Sequence, residues 1–254
     1  MYTYDISSVA ASVASMLDIS APKHASPAYA PIADKKVDRV LLYNPDAIAL
    51  WIYGKYRSLF LEAEKRSDFI LPARSVMPSV TPVCFGTMYT GASPDLHGIK
   101  KYEKPVITIE TLFDSLIASG KKPCIVSYGD SSISKIFLNR EMDYYIPDTM
   151  DNVNSIAMEL MREDKYDLIT VYNGNYDSVM HKNGPEAEPS IDALKHNIAA
   201  FCDFCDLADE VWKGKRYAAG FCPDHGCHLI DGDCGSHGLE MDEDMNVVHM
   251  WRFA

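Results

Sequence analysis

The sequence predicts an α/β domain with a mostly parallel central sheet flanked by helices. Short apolar runs that suit buried strands alternate with longer segments of helical periodicity, which is the pattern of such domains. The chain has 254 residues, of which 47% are hydrophobic, so it can bury a sizeable core. Asp46, Asp177 and Asp224 each follow a predicted strand, and parallel sheets bind ligands at the carboxyl ends of their strands.

Four strands and four main helices make up the predicted order. The first strand runs from Val37 to Tyr43 and ends at an Asn-Pro-Asp turn. The other strands fall within residues 123–129, 166–173 and 215–226. Helices are predicted over residues 47–66, 107–122, 153–164 and 191–214. In the second of these, Thr108 is the expected N-cap and Gly120 the expected stop.

The N-terminal segment predicts an amphipathic helix over residues 1–20. It lacks the basic region of a signal peptide and is interrupted by Asp5 and Asp18. Residues 19–36 are rich in Pro and Ala and suit a connecting loop. We therefore divide the chain into an N-terminal helix and loop, residues 1–36, and a catalytic domain, residues 37–254.

Composition narrows the class of partner and the compartment. The net charge of −12 disfavours a nucleic-acid partner, because the phosphate backbone would be repelled. Seven cysteines, an odd number spread along the chain, argue against a disulfide framework. No run reaches the ~18 apolar residues that a membrane span requires. We expect a cytoplasmic protein with a small-molecule substrate and no membrane partner, and the oligomeric state stays open.

The segment around Thr81 predicts a short helix from Pro82 to Thr90. Thr81 suits the N-cap, Pro82 the first helical position and Gly91 the C-terminal stop. A hydroxyl there would lie beside unpaired N–H groups and the positive end of the helix dipole, where a phosphate is stabilised. A lone Thr-Pro usually only caps a helix, so a nucleophilic role depends on the other polar residues.

Acidic and histidine residues downstream supply metal-ligand types. Asp177 and His181, four residues apart, would share one helix face. Asp224 and His225 end a predicted strand, and His237 lies in a Gly-rich loop. Taken singly, these could be a capping Asp or a surface-loop His. Together with the first aspartate and the threonine they suit two divalent metals beside a hydroxyl nucleophile. The set is Asp46, Thr81, Asp177, His181, Asp224, His225 and His237.

A rival interpretation places a structural zinc on the cysteine-rich segment. Its ligands would be Cys222, Cys227, His228 and Cys234, whose spacings lack a clean Cys-x-x-Cys pair. Cys202 and Cys205 do have that spacing. They fall in a predicted long helix, however, where at least one belongs to the core.

Four motifs in this order resemble the alkaline phosphatase superfamily, especially its type I phosphodiesterase and nucleotide pyrophosphatase branch. The resemblance runs from about Val37 to the C-terminus. The matching residues are Thr81 followed by Thr90-Gly91, Pro94 and His97-Gly98-Ile99; Asp177, His181 and Gly184-Pro185; Asp224-His225-Gly226; and His237-Gly238.

The resemblance implies an alkaline phosphatase-like fold and a phosphoester hydrolase with two divalent metal ions. The Asp and His ligands suit zinc, and manganese is the alternative with the same residues. Thr81 is implied as the nucleophile and as a ligand of one metal. Its co-ligands would be Asp46, Asp224 and His225. The other metal would take Asp177, His181 and His237. His97 matches a motif residue but not a ligand, and a structural role is expected for it.

The chain departs from the family in three places. Ala47 stands where the family usually has Gly after the first metal aspartate, and Cys84 stands where nucleotide-hydrolysing members have an Asn that holds the phosphoryl group. The chain is also short, so the cap over the substrate should be minimal. A phosphomutase of the same superfamily and a catalytically silent ligand-binding member remain as alternatives.

Overall fold

The structure, a computed structural model, describes residues 4–254 and consists of one large sheet, a small hairpin and helices on both sheet faces. The strands are β1 Tyr4–Asp5, β2 Arg39–Pro45, β3 Phe69–Arg74, β4 Pro123–Val126, β5 Asp143–Tyr145, β6 Leu168–Asn173, β7 Tyr217–Phe221, β8 His228–Ile230, β9 Cys234–Ser236 and β10 Asn246–Phe253. The helices are α1 Ser8–Met16, α2 Leu50–Lys55, α3 Arg57–Arg66, α4 Thr81–Thr90, α5 Pro94–His97, α6 Leu112–Ala118, α7 Ser132–Ile136, α8 Val153–Glu163, α9 Asn175–Asn183, α10 Glu188–Val211 and α11 Asp242–Met245.

The central sheet has eight strands in the order β1-β3-β10-β7-β2-β6-β4-β5. All pairings are parallel except those of β10, which runs antiparallel to both β3 and β7. Strands β8 and β9 form a separate antiparallel hairpin. The α/β class with a mostly parallel sheet flanked by helices, as predicted, is confirmed.

Each face of the sheet is covered by its own apolar layer because side chains alternate along a strand. On β2, Leu41 and Tyr43 pack into the layer that holds α8 and α10. Val40 and Leu42 pack into the opposite layer, which holds α1, α4 and α6. This two-sided burial makes the central strands mostly apolar, and the acidic residues of the site lie beyond the strand ends.

The N-terminal helix is shorter and more buried than predicted. Helix α1 spans Ser8–Met16, and all its side chains except Ser8 and Ser15 are buried. The expected amphipathic character is wrong, because α1 packs against α4 and α6 instead of facing solvent on one side. Residues 1–3 of the predicted helix lie outside the described residues. The division of the chain at residue 37 stays a prediction.

Two other local expectations are corrected. The N-cap of α6 is Thr111 and not Thr108, because Asp114 completes a reciprocal capping box with Thr111. The helix predicted over residues 47–66 is broken at Tyr56 into α2 and α3.

The sequence does not predict strands β1, β3, β5 and β10 or the β8–β9 hairpin, and β1 lies within the predicted N-terminal helix. Within β3, Pro72 obscures the strand signal, since proline is normally depleted from sheets. Among the described residues, no helix is long and apolar enough to cross a membrane.

Candidate active site

The site lies at the carboxyl ends of three neighbouring parallel strands, β7, β2 and β6. Asp46 directly follows β2, Asp224 follows β7, and Asp177 lies in the first turn of α9, directly after β6. The Asp46 N–H donates a 3.0 Å hydrogen bond to Asn173 O, which holds the end of β2 beside the end of β6. The topology therefore brings together residues that are up to 178 positions apart in the sequence.

Asp46, Asp224 and His225 form one cluster of donor atoms, the Asp46 group. The Nε2 atom of His225 lies 3.3 Å from Asp46 Oδ1 and 3.5 Å from Asp224 Oδ2. All three side chains are buried. Two carboxylates and one imidazole within this distance are a suitable set for a divalent metal.

Asp177, His181 and His237 form a second cluster, the Asp177 group. Asp177 Oδ1 lies 3.3 Å from His181 Nε2 and 3.4 Å from His237 Nε2. The two groups adjoin each other, since the rings of His225 and His237 stack with their centroids 4.0 Å apart. The structure thus brings all six expected acidic and histidine residues into two adjacent triads.

The three histidines are oriented in the same way. Each has Nδ1 2.9 Å from a backbone carbonyl oxygen: His225 with Gly226, His181 with Gly235 and His237 with Ser79. An N–H at Nδ1 that donates to a carbonyl leaves the Nε2 lone pair free, which is the arrangement found around metal-binding histidines. All three Nε2 atoms face carboxylates of the two groups.

Thr81 lies beside the Asp46 group at the start of α4. Its Oγ1 is 3.3 Å from His225 Nε2 and 3.4 Å from Asp46 Oδ2. It is the first residue of the helix and not its N-cap, a position taken by Val80, and Gly91 ends the helix in the left-handed conformation as predicted. The hydroxyl is therefore free of a capping role.

The expected row of unpaired N–H groups at this helix end is largely missing. Pro82 has no N–H, and the N–H groups of Val83 and Cys84 both donate to Val80 O. Support for an anion here must come from the helix dipole and bound cations more than from backbone donors.

Electrostatics favour cations in both groups. Burial raises the pKa of Asp46 and, even more, that of Asp224, and the neighbouring carboxylates raise both further. Burial also opposes ionisation of Asp177, but the adjacent imidazoles of His181 and His237 outweigh it and lower the pKa. The proximity of Asp177 in turn raises the pKa of His181 to about 9. This negative field attracts positive charge, whether protons or metal ions.

The donor atoms pass a direct test of fit for metal ions. Asp46 Oδ1, Asp177 Oδ1 and Asp224 Oδ2 are buried and have no hydrogen-bond partner by normal geometry. Buried carboxylate oxygens without partners are costly. Each of these oxygens faces an Nε2 atom of its own group. One cation in each group would therefore compensate all three oxygens.

Ala47 accounts for one departure from the family pattern. Its φ is +62°, in the left-handed region that glycine adopts without strain. Ala47 therefore keeps the backbone turn that a glycine would make after Asp46. The Ala47 N–H points to Asp224 Oδ1 at 3.5 Å, which links two members of the Asp46 group.

The rival cysteine site does not form. Cys222 and Cys227 pack into apolar layers on opposite faces of the sheet, and His228 Nδ1 pairs with Asp244 at 2.7 Å. Within residues 4–254, the two triads are the sole clusters of three or more potential metal-ligating side chains. Cys202 and Cys205 are buried in α10, as expected of core residues.

Cys84 and His97 both serve the packing of α4. Cys84 is fully buried, with its Sγ 3.2 Å from Ser75 Oγ. His97 accepts from Ile99 N–H through Nδ1, pairs with Thr87 through Nε2, and lies against Gly86. Burial lowers its pKa to about 4, which suits a neutral structural histidine.

Two supporting features were missed from the sequence. Tyr172, near the end of β6, donates a hydrogen bond to Asp46 Oδ2. Asp244 accepts from Leu239 N–H, two residues after His237, and pairs with His228. For Tyr172, the sequence offers one signal, a tyrosine near the polar end of an otherwise apolar strand. For Asp244 it offers none.

The fold is alkaline phosphatase-like. The chain is similar to phosphonoacetate hydrolase from Sinorhizobium meliloti 1021 in complex with phosphonoacetate, at 16% identity and a TM-score of 0.56, over 76% of this chain and 58% of that one. It is also similar to murine ectonucleotide pyrophosphatase/phosphodiesterase 5, solved as an inactive threonine-to-alanine variant in complex with AMP. That likeness has 14% identity and a TM-score of 0.59, over 77% of this chain and 59% of that one.

These likenesses show the fold. Both solved proteins belong to the superfamily branch that contains nucleotide pyrophosphatases and phosphodiesterases. The chain spans somewhat less than three fifths of the length of each. No protein-family model matches the chain, and no curated protein matches it.

Proposed function

We propose that the protein is a phosphoester hydrolase that uses Thr81 as its nucleophile and holds two divalent cations. Zinc is the preferred metal at both sites, and manganese is the alternative. The observation that carries the proposal is the pair of adjacent triads beside the Thr81 hydroxyl, in which every histidine presents Nε2 and each acidic residue has an unpartnered oxygen. The solved proteins of this fold bind small phosphorus-containing ligands, phosphonoacetate and AMP, which agrees with the proposal.

The geometry suggests how the chain's residues would divide the work. Bound cations would neutralise charge on the phosphoryl oxygens and help the threonine hydroxyl ionise. The Thr81 oxygen would form a bond to phosphorus as the bond to the leaving oxygen breaks, and water would then cleave the phosphothreonine. The Asp46 group would surround the attacking oxygen, and the Asp177 group would lie on the side of the transferred phosphoryl group.

The proposed substrate class is small phosphoesters, with little selectivity among leaving groups. Cys84 supplies no phosphoryl contact, since its thiol is buried beside Ser75. We expect hydrolysis of activated aryl phosphoesters, with a slight preference for diesters and poor discrimination among nucleotide bases.

The test is turnover of matched aryl mono- and diesters by the zinc- or manganese-loaded protein and its hydroxyl variants. Thr81→Ala should lower kcat by several orders of magnitude, whereas Thr81→Ser should keep part of the activity. Stability should change little, because the Thr81 side chain caps no helix.

Ser79→Ala is the matched control. Ser79 lies two residues away, is buried, and its hydroxyl has no partner; only its backbone carbonyl, which the substitution keeps, contacts a triad through His237. It should retain nearly full kcat. An active Thr81→Ala protein together with an inactive Ser79→Ala protein would refute the assignment of the nucleophile.

A further inference from the structure

Tyr172 places a phenol hydroxyl against the first carboxylate of the site. It is the penultimate residue of β6 and pairs in register with Asn44 of β2, two residues before Asp46. The side chain is 3% exposed. Its hydroxyl donates to Asp46 Oδ2.

This hydrogen bond decides which oxygen of Asp46 stays open. Oδ2 accepts from Tyr172 and lies 3.4 Å from Thr81 Oγ1. Oδ1 has no hydrogen-bond partner and faces His225 Nε2 at 3.3 Å. With one oxygen held, the plane of the carboxylate is fixed and the other oxygen points into the Asp46 group.

The tyrosine ring has little freedom to turn away. It stacks on Tyr128, with centroids 5.6 Å apart and planes at 20°, and meets Phe85 edge-on at 5.3 Å. The backbone also closes over its hydroxyl, because a Cβ on Gly174 would lie 2.8 Å from that oxygen. A clamped donor of this kind can set the direction of its acceptor.

We propose that Tyr172 is a positioning residue that orients Asp46 toward a divalent cation in the Asp46 group. The inference rests on the proposed function in taking that group as a metal site. Partners of metal ligands typically change metal affinity by about 10–100-fold when they are removed. Tyr172 should act on the Asp46 group alone, since none of its hydrogen bonds reaches the Asp177 group.

The experiment is a zinc titration of the metal-free full chain against a chromophoric chelator, with urea unfolding as the check on folding. Tyr172→Phe removes one oxygen atom and should weaken one of two zinc sites by about 10–100-fold while the other is unchanged. Tyr43→Phe is the matched control: it removes a buried hydroxyl that donates to Asn197 and makes no bond to Asp46, and it should bind both ions like the wild type.

A double-mutant cycle locates the effect. Asp46→Ala should weaken the same site, and adding Tyr172→Phe to Asp46→Ala should weaken it no further, because the hydroxyl then has no carboxylate to orient. Wild-type zinc affinity in Tyr172→Phe, or additive losses in the double variant, would overturn the inference.

The outcomes separate this inference from the proposed function. Two zinc ions bound without any turnover of phosphoesters would refute the proposed activity. The zinc affinities of the Tyr172→Phe and Asp46→Ala variants would still test the role of Tyr172. A wild-type chain that binds no zinc and no manganese would overturn both.

Discussion

At the scale of single residues, the site depends on a carboxylate, Asp46, that is followed by a residue in an uncommon backbone conformation. Ala47 has φ +62° and is fully buried directly after Asp46. The left-handed conformation costs a residue with a Cβ roughly 1–2 kcal/mol. The turn nevertheless directs Asp46 toward Asp224 and His225, so the conformation has a use in the site.

Substitutions at Ala47 should separate this conformation from mere packing. Ala47→Gly relieves the strain but loses a buried methyl worth roughly 0.8 kcal/mol, so its free energy of unfolding should stay within about 1 kcal/mol of the wild type. Ala47→Val should lose more than about 2 kcal/mol, because a β-branched residue is disfavoured at positive φ and the site is closed. Urea unfolding of the two variants measures this. Equal free energies of unfolding for Ala47→Val and Ala47→Gly would contradict a left-handed conformation at this position.

Residue types and order predicted much of the candidate site. Asp46, Asp177 and Asp224 could be brought together because each follows a strand whose end meets the same sheet edge, whereas the division into two triads came from the family resemblance. Tyr172 could not be assigned, because a hydrogen bond between β6 and the residue after β2 depends on register. The buried thiol of Cys84 could not be anticipated either, since its direction depends on how α4 packs.

At the scale of elements, the β8–β9 hairpin positions one of the three members of the Asp177 group and supports a second. His237 directly follows β9, and Gly235 O accepts from His181 Nδ1. The hairpin lies flat on α9 because Gly235 has no side chain: a Cβ there would lie 2.0 Å from Met180 Sδ and 2.8 Å from Met180 O. Glycine is thus required for the close approach of two segments that carry members of the Asp177 group.

Gly235→Ala should lift the hairpin from α9 and disrupt the Asp177 group. We expect zinc binding at one site to weaken at least tenfold, with a stability loss of about 1–3 kcal/mol from overpacking. Gly54→Ala is the control, since a Cβ at this position of α2 has nothing within 4 Å. It should bind zinc normally and keep or gain stability. Unchanged zinc binding by Gly235→Ala would show that the hairpin tolerates displacement.

Elements with strong local signals were predictable, and those defined by distant pairing were not. Helix α10 and strands β2, β6 and β7 follow from periodicity and apolar runs. Strand β10 contacts β3 and β7, which lie far away in sequence, and it alone runs antiparallel in the sheet. Local sequence contains no information on that direction.

At the scale of the whole molecule, burial of neutral histidines makes stability depend on pH. His249 of β10 is fully buried, with Nε2–H donating to Pro223 O at 2.9 Å and Nδ1 accepting from Tyr29 Oη at 3.1 Å. Burial lowers the pKa of His249 to about 4, below the ~6.5 of an unfolded chain. The lowered pKa means that its contribution is complete above pH ~6.5 and is lost as the pH falls toward 4.

His249→Gln should flatten this part of the stability profile. Urea unfolding at pH 7, 6, 5 and 4 should show the wild type losing up to roughly 3 kcal/mol more than the variant over that range. Carboxylates titrate equally in both proteins, so the difference isolates the histidine. Parallel profiles for the two proteins would mean that His249 is not the responsible group.

The most direct measurement is a crystal structure of the zinc-loaded protein with anomalous scattering at the zinc edge. The account predicts two peaks roughly 3.5–4 Å apart, as in two-metal hydrolases. One should lie within bonding distance of the Asp46 group and Thr81, and the other within bonding distance of the Asp177 group. A single peak on Cys222, Cys227 and Cys234, or two triads that remain without zinc, would contradict it.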